Sequence, residues 1–269
     1  MTKVHHLNCA TMSAAGSFGG RLAPVRLVAH CLVLEGDDGL TLVDTGLGTA
    51  DLAAPNKRLT APFVKLTRPA LDPAETAISQ LRGLGFAATD VRDVVLTHLD
   101  VDHAGGLGDF PSARVHVYAD ELAAAQRPAL SERGRYRTMQ WAHGPSWVQH
   151  AAAGEDWFGF SAVGVLADDL LMVPLLGHTR GHCGVAVRRP GGDWFLHAGD
   201  SYFFHGELQT PPSYAPGLSL FQTLVQRDRR ARLHNQERLR ALHADRGDEV
   251  TVFCAHDAVE FDALAGATD

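Results

Sequence analysis

The segment Thr97-His98-Leu99-Asp100-Val101-Asp102-His103-Ala104-Gly105-Gly106 constrains this chain more than any other. It closes the apolar, β-branched run Val94–Thr97, so His98, Asp100, Asp102 and His103 all leave one strand end within six residues. A strand end followed by a glycine-bearing turn can aim several side chains at one point without helical spacing. Imidazole nitrogens mixed with hard carboxylate oxygens suit zinc, and equally manganese or iron.

Three further segments repeat the pattern: Gly177-His178-Thr179-Arg180-Gly181-His182 after Leu170–Leu176, His197-Ala198-Gly199-Asp200 after Trp194, and Ala255-His256-Asp257 after Val250–Cys254. Each puts a ligand-type side chain where a strand gives way to a loop, and strand ends can converge on a shared edge. Strands are also expected at Arg26–Glu35, Leu40–Asp44, Arg114–Tyr118 and Gly184–Arg188, and helices at Pro73–Leu84 and Leu218–Ala244. Strands mixed with helices imply an α/β protein, its sheets covered by helices.

Composition narrows the function. At 269 residues the chain has room for a substantial core, in one or two domains. The 24 Lys and Arg against 31 Asp and Glu leave a net charge of −7, which argues against a nucleic-acid partner. No apolar run approaches the roughly 18 residues of a membrane span, so no membrane partner is expected. The N-terminus has no apolar signal core, and a cytoplasmic protein is the expectation. Cys9, Cys31, Cys183 and Cys254 form no Cys-x-x-Cys pair and are read as free thiols. Histidine is abundant, at 15 residues.

The stretch 127–164 holds Trp141, Trp147 and Trp157 with Tyr136, Phe158 and Phe160 and fits neither periodicity. It is either an aromatic lid over a pocket or an insertion whose aromatics pack on the core. The seven arginines between Arg227 and Arg246 are interleaved with acids and read as a solvated helix face.

With these pieces in hand, the chain resembles the metallo-β-lactamase superfamily. The matching motifs are Leu42-Val43-Asp44-Thr45-Gly46, the His98–His103 block, the Gly177–His182 block, Ala198-Gly199-Asp200 and Ala255-His256-Asp257, in the family's order. The resemblance implies a single domain over residues 1–269: an αβ/βα four-layer sandwich of two mixed sheets with outer helices, the two-metal site at one edge. It implies that His98, Asp100 and His182 hold one divalent ion, that Asp102, His103 and His256 hold a second, and that Asp200 bridges them. Asp44 would support the site from behind, and His178 would serve as a structural hydrogen-bonding residue. The family pattern His-x-His-x-Asp-His is broken at Asp100, where a carboxylate replaces the second histidine. Zinc is the expected metal, with iron and manganese as rivals because a carboxylate favours harder ions.

Two such ions polarise a carbonyl and lower the pKa of bound water from about 15.7 to about 7. The leading expectation is therefore a metal-dependent hydrolase that cleaves a small ester, specifically a lactone, by attack of hydroxide. No Gly-x-Ser-x-Gly elbow occurs, and Cys183 reads as packed wall. The layout is most similar to the N-acyl homoserine lactonases, whose small-molecule substrates and frequent homodimers become expectations here. Glutathione thioesterases of the family carry a C-terminal helical region, and only residues 257–269 follow His256. Asp102 is the candidate for moving the water's proton. The lactonases' catalytic tyrosine lies three residues after the bridging aspartate; here that position is Phe203, and Tyr202, one residue earlier, is the catalytic candidate. The alternatives are an iron-dependent redox enzyme of the same fold and a non-catalytic metal-binding relative.

Overall fold

The computed structural model describes residues 3–15, 17–151, 154–166 and 168–266. Two six-stranded sheets carry the architecture. The first runs, in spatial order, β1 (Lys3–Asn8), β2 (His30–Gly36), β3 (Gly39–Val43), β4 (Val91–Val95), β5 (Arg114–Tyr118) and β6 (Ser146–His150). The second runs β12 (Val250–Phe253), β11 (Trp194–His197), β10 (Cys183–Arg188), β9 (Leu170–Pro174), β8 (Phe160–Gly164) and β7 (Glu155–Trp157). Both are mixed: β3–β4–β5–β6 and β11–β12 pair parallel, and the other neighbours pair antiparallel.

Side-chain alternation along the strands builds the layers. On β2, Leu32 and Leu34 face the second sheet and join Met172, Val185, Phe195 and Phe253 in a shared core between the sheets. Cys31 and Val33 point the other way, into a core closed by Ala77 and Leu81 of the helix Ala77–Gly83 and by Leu122 of the helix Ala119–Gln126. The second sheet splits likewise: Ala186, Leu196, Val250 and Val252 turn outward onto Leu239 and Leu242 of the helix Arg229–Arg246. Helix, sheet, sheet, helix is the expected four-layer sandwich.

Three expectations about elements change. The long helix over Leu218–Ala244 is two helices, Pro216–Val225 and Arg229–Arg246, because the chain extends at Gln226 and Asp228 caps the second through Ala231 N–H. The helix over Pro73–Leu84 is a single 3₁₀ turn, Pro73–Glu75, then Ala77–Gly83, broken at the extended residue Thr76. The stretch 127–164 contributes β6, β7 and β8 to the far ends of the two sheets, with Ala152 and Ala153 outside the described residues. Its aromatics pack inward: Trp141 and Trp147 on the first outer core, Trp157, Phe158 and Phe160 on the second.

The site lies where strands end. β3 leads to Asp44, β4 to His98–His103, β9 to His178, β11 to Asp200 and β12 to His256. The sheets are tied together at this edge by Cys183 N–H donating to Thr97 O at 3.0 Å and His30 N–H donating to Ala255 O at 2.9 Å. No helix among the described residues is long and apolar enough to cross a membrane.

Candidate metal centre

Two groups of buried ligand-type side chains sit side by side at this edge. One is His98, His178 and Asp200; the other is Asp102, His103 and His256; within each group the ligand atoms lie within 4.8 Å of one another. Asp200 joins the groups through its two oxygens. Its Oδ2 is 3.3 Å from His178 Nε2 and 3.8 Å from His98 Nε2, while its Oδ1 is 3.2 Å from His103 Nε2 and 3.1 Å from His256 Nε2. His256 Nε2 lies 3.7 Å from Asp102 Oδ2.

The residues fit a pair of cations. His98 Nε2, His103 Nε2 and Asp200 Oδ1 are buried and make no hydrogen bond, a costly arrangement unless something else satisfies them. Three carboxylates, Asp100, Asp102 and Asp200, are set against one permanent cation, Arg135, so the cluster carries an excess of negative charge. The titration directions reflect it. Burial alone would lower His103, yet Asp200 and Asp44 hold it well above the usual imidazole range. Burial opposes the charging of His256 too, but Asp200 and Asp102 raise it. His98, buried and repelled by His103, falls to about 4. Asp200 is held well below the carboxylate range despite burial, by His256, His103 and His178.

Supporting contacts fix which nitrogens face inward. Asp44, at a positive φ of 56°, is held there by Thr97, whose N–H and Oγ1–H donate to it at 2.8 and 2.7 Å. It accepts from His103 Nδ1 at 2.7 Å, leaving Nε2 for the centre. His256 Nδ1 donates to Val28 O at 2.7 Å with the same consequence. Glu121, on the helix Ala119–Gln126, accepts from Leu99 N–H at 3.0 Å, Gly181 N–H at 3.1 Å and Thr179 Oγ1 at 2.6 Å, stapling the two ligand-bearing loops together.

Compared with the sequence expectation, the structure brings together His98, Asp102, His103, Asp200 and His256, and places His178 rather than His182 in the first group. His182 has both ring nitrogens engaged: Nδ1 donates to Leu175 O at 2.9 Å and Nε2 accepts from Asp200 N–H at 2.8 Å. The ring thereby holds the backbone of Asp200 and stands outside the first group. Gly199 permits that approach, since a Cβ there would fall on His182 Nε2 and Thr97.

Asp100 lies beside the first group, 3.4 Å from His98 Nε2 and 3.1 Å from His178 Nε2, but Arg135 grips it. Arg135 Nε and Nη2 donate to its two oxygens, each at 2.6 Å, and Nη2 also meets His178 Nε2 at 2.6 Å. Burial would raise the Asp100 carboxyl; Arg135, with His178 and His98, pulls it well below the usual range. Arg135 and Glu121 escaped the sequence reading. The only signal for either was charge in an otherwise apolar or irregular stretch.

Tyr202 is not brought to the centre. It is fully buried, and its hydroxyl donates to Glu260 Oε1 at 2.9 Å inside the second outer core. The irregular backbone after Asp200 sends Tyr202 into that core and turns Phe203 toward the centre, where it stacks on His256 with ring centroids 5.0 Å apart. Cys183 is likewise sealed, its thiol donating to Thr97 O at 3.3 Å and its acidity suppressed by burial. All four cysteines are buried and unpaired by disulfides.

A cavity of about 320 Å³ opens over the two groups. Asp100, Asp102, His178, Asp200 and His256 border it at the centre, Arg135 and Arg227 at one side, and apolar residues including Met12, Leu27, Phe63, Phe203, Leu218 and Phe221 form the rest. Among the described residues of the stretch 127–164, Ser131, Gly134 and Arg135 reach it.

The chain is 42% identical to a probable metallo-hydrolase of Mycobacterium tuberculosis, over 95% of this chain and 80% of the relative. It is 27% identical to an N-acyl homoserine lactonase of Rhizobium johnstonii, over 71% of this chain and 70% of the relative. The fold matches an N-acyl homoserine lactone hydrolase solved with N-hexanoyl-L-homoserine at its catalytic metal centre, with a TM-score of 0.73 at 19% identity, covering 97% of this chain and 96% of the other. The sequence profile of the metallo-beta-lactamase superfamily matches residues 25–256. The chain belongs to the metallo-beta-lactamase superfamily.

Proposed function

We propose that this chain, a hydrolase of the metallo-beta-lactamase fold, opens a lactone or cleaves a similarly small ester bearing an apolar substituent. The observation that carries this reading is the divided carboxylate of Asp200, one oxygen facing His98 and His178 and the other His103 and His256, at the base of an apolar cavity. His98, His178 and Asp200 would hold one divalent ion, with Asp100 beside it. Asp102, His103 and His256 would hold the other with the second oxygen of Asp200, and zinc suits this donor set. Bound there, such ions supply Lewis acidity toward an ester carbonyl and acidify water.

The chain's own residues do the rest. Asp102 borders the cavity, and burial together with Asp200 and Asp100 raises its carboxyl, which suits it to take up and return a proton. Arg135, its donors engaged by Asp100, His178 and Val225 O, holds Asp100 and His178 in place at the cavity wall. Phe203, Phe221 and Leu218 exclude water and accommodate an apolar chain. The lactonase relative supports the substrate class. Pairing of Asp100 with Arg135 weakens the case for an iron redox centre, which rested on Asp100 as an extra free hard ligand.

The test is reconstitution of metal-stripped protein with zinc, manganese or iron, with metal content measured, followed by a panel of N-acyl homoserine lactones, plain lactones and linear esters. Turnover that requires metal and disappears in Asp200→Asn is expected. Absence of turnover on the whole panel at full metal occupancy, or turnover indifferent to chelators, would overturn the reading.

A further inference from the structure

The mouth of the cavity lies within an apolar, cationic face that the hydrolytic reading does not use. Half of the large apolar side chains exposed among the described residues fall in three segments: Phe18, Leu22 and Val25 in the loop before β2, Leu66 on the helix Ala61–Thr67, and Leu220 and Leu224 on the helix Pro216–Val225. Phe18 is 72% exposed, Leu220 62% and Leu224 74%, values that for monomeric surfaces call for an explanation when they cluster.

The three segments form one surface. Ala15 N–H donates to Leu66 O at 2.7 Å, Gly217 N–H donates to Leu22 O at 2.6 Å, and Leu66 and Leu224 border the same cavity.

The charge these segments carry is of one sign, and the acid that meets them at Arg26, Asp262 at 2.9 Å, comes from the C-terminal helix. Asp and Glu are absent from residues 12–27, 52–71 and 208–227, although the chain carries 31 of them and is negative overall. The same segments hold Arg21, Lys65 and Arg68, which are exposed and join no ion pair among the described residues. A two-fold contact between copies would set these cations against themselves, because such an interface pairs one patch with its own image. Six apolar side chains with a cationic fringe, on segments that contribute no acid of their own, instead complement an anionic lipid surface.

We propose that this face docks on an anionic bilayer, leucines in the acyl boundary and Arg21, Lys65 and Arg68 at the headgroups. The cavity mouth then opens directly onto the lipid phase, from which an amphiphilic substrate passes along Leu66 and Leu224 to the metal centre. This is attachment to the surface, not a span.

Flotation of the full chain with vesicles tests it, and needs no turnover, so it stands apart from the lactone reading. Phosphatidylcholine vesicles containing about 30% phosphatidylglycerol are expected to carry the protein upward, pure phosphatidylcholine vesicles are not, and about 0.5 M salt releases it. Each basic side chain near such a surface contributes about fivefold in partitioning, so Arg21→Glu/Lys65→Glu/Arg68→Glu abolishes flotation. Leu220→Ser/Leu224→Ser lowers partitioning on the order of tenfold or more. These positions are exposed, and unchanged circular dichroism verifies folding. Failure to float with the anionic vesicles, or equal flotation of the charge-reversed variant, overturns the proposal. So does a solution dimer that Leu224→Ser dissolves in a chain that ignores vesicles.

Discussion

Replacing Arg135 with methionine keeps most of the side-chain volume and removes the guanidinium. The loss can be sized from its contacts. Arg135 makes a two-point ion pair with Asp100 and donates to Val225 O at 2.7 Å, with side-chain exposures of 15% for Arg135 and 19% for Asp100. Removing one partner of a buried pair costs about 3–5 kcal/mol because a charge is left uncompensated. Partial exposure favours the lower end, and Val225, at the cavity, regains water. We expect about 3 kcal/mol, or a fall in Tm of about 6–12 °C at the 2–4 °C per kcal/mol typical of chains near this size. The assay is denaturant unfolding at neutral pH with chelator present, since a cation beside Asp100 would itself replace the missing charge. Adding Asp100→Asn should recover about 2 kcal/mol, a coupling that only directly interacting residues show. The sign with pH follows from the depressed Asp100 carboxyl: the pair stabilises the fold above the unfolded carboxylate pKa and is lost as pH falls through the folded value. Destabilisation below about 1 kcal/mol in Arg135→Met, or strictly additive losses in the double variant, would refute the reasoning.

His178→Ala and His182→Ala separate the two histidines: native mass spectrometry should show the first losing an ion from the centre, while the second keeps its ligand atoms but unfolds more readily. Asp44→Ala should lower metal affinity by about 10–100-fold, read by chelator competition, because His103 loses the acceptor that orients it. Glu260, half-buried against Tyr202, is raised from 4.5 to about 8 by desolvation, so the folded state keeps a proton that the unfolded state releases. Its contribution to stability is therefore present below pH 4.5 and lost as pH rises toward 8; Glu260→Gln should flatten that decline in thermal unfolding scans.

Much of this protein is legible along the chain. Apolar β-branched runs mark β3, β5, β9, β10, β11 and β12, since residues buried on both faces leave a continuous signal, but only the end of β4, which starts at Val91 and stops at Val95 although the apolar run is Val94–Thr97. The order of the motifs at their ends carries the family. The short strands β7 and β8 and the half-exposed β6 were not legible, because Ser146–His150 and Glu155–Trp157 mix polar and aromatic residues with no clear period and are held by their sheet neighbours.

The sequence by itself determined that His98, Asp102, His103, Asp200 and His256 would leave strand ends together, because local spacing decides where a side chain departs from a strand. Only the tertiary structure placed His178 rather than His182 beside His98 and Asp200 Oδ2, because the ring of His182 is turned to Leu175 O and Asp200 N–H from other segments. It also sent Tyr202 into the core and brought Arg135, 35 residues away, onto Asp100. A buried charge must find its partner in space, and the distance along the chain to that partner leaves no local pattern to read.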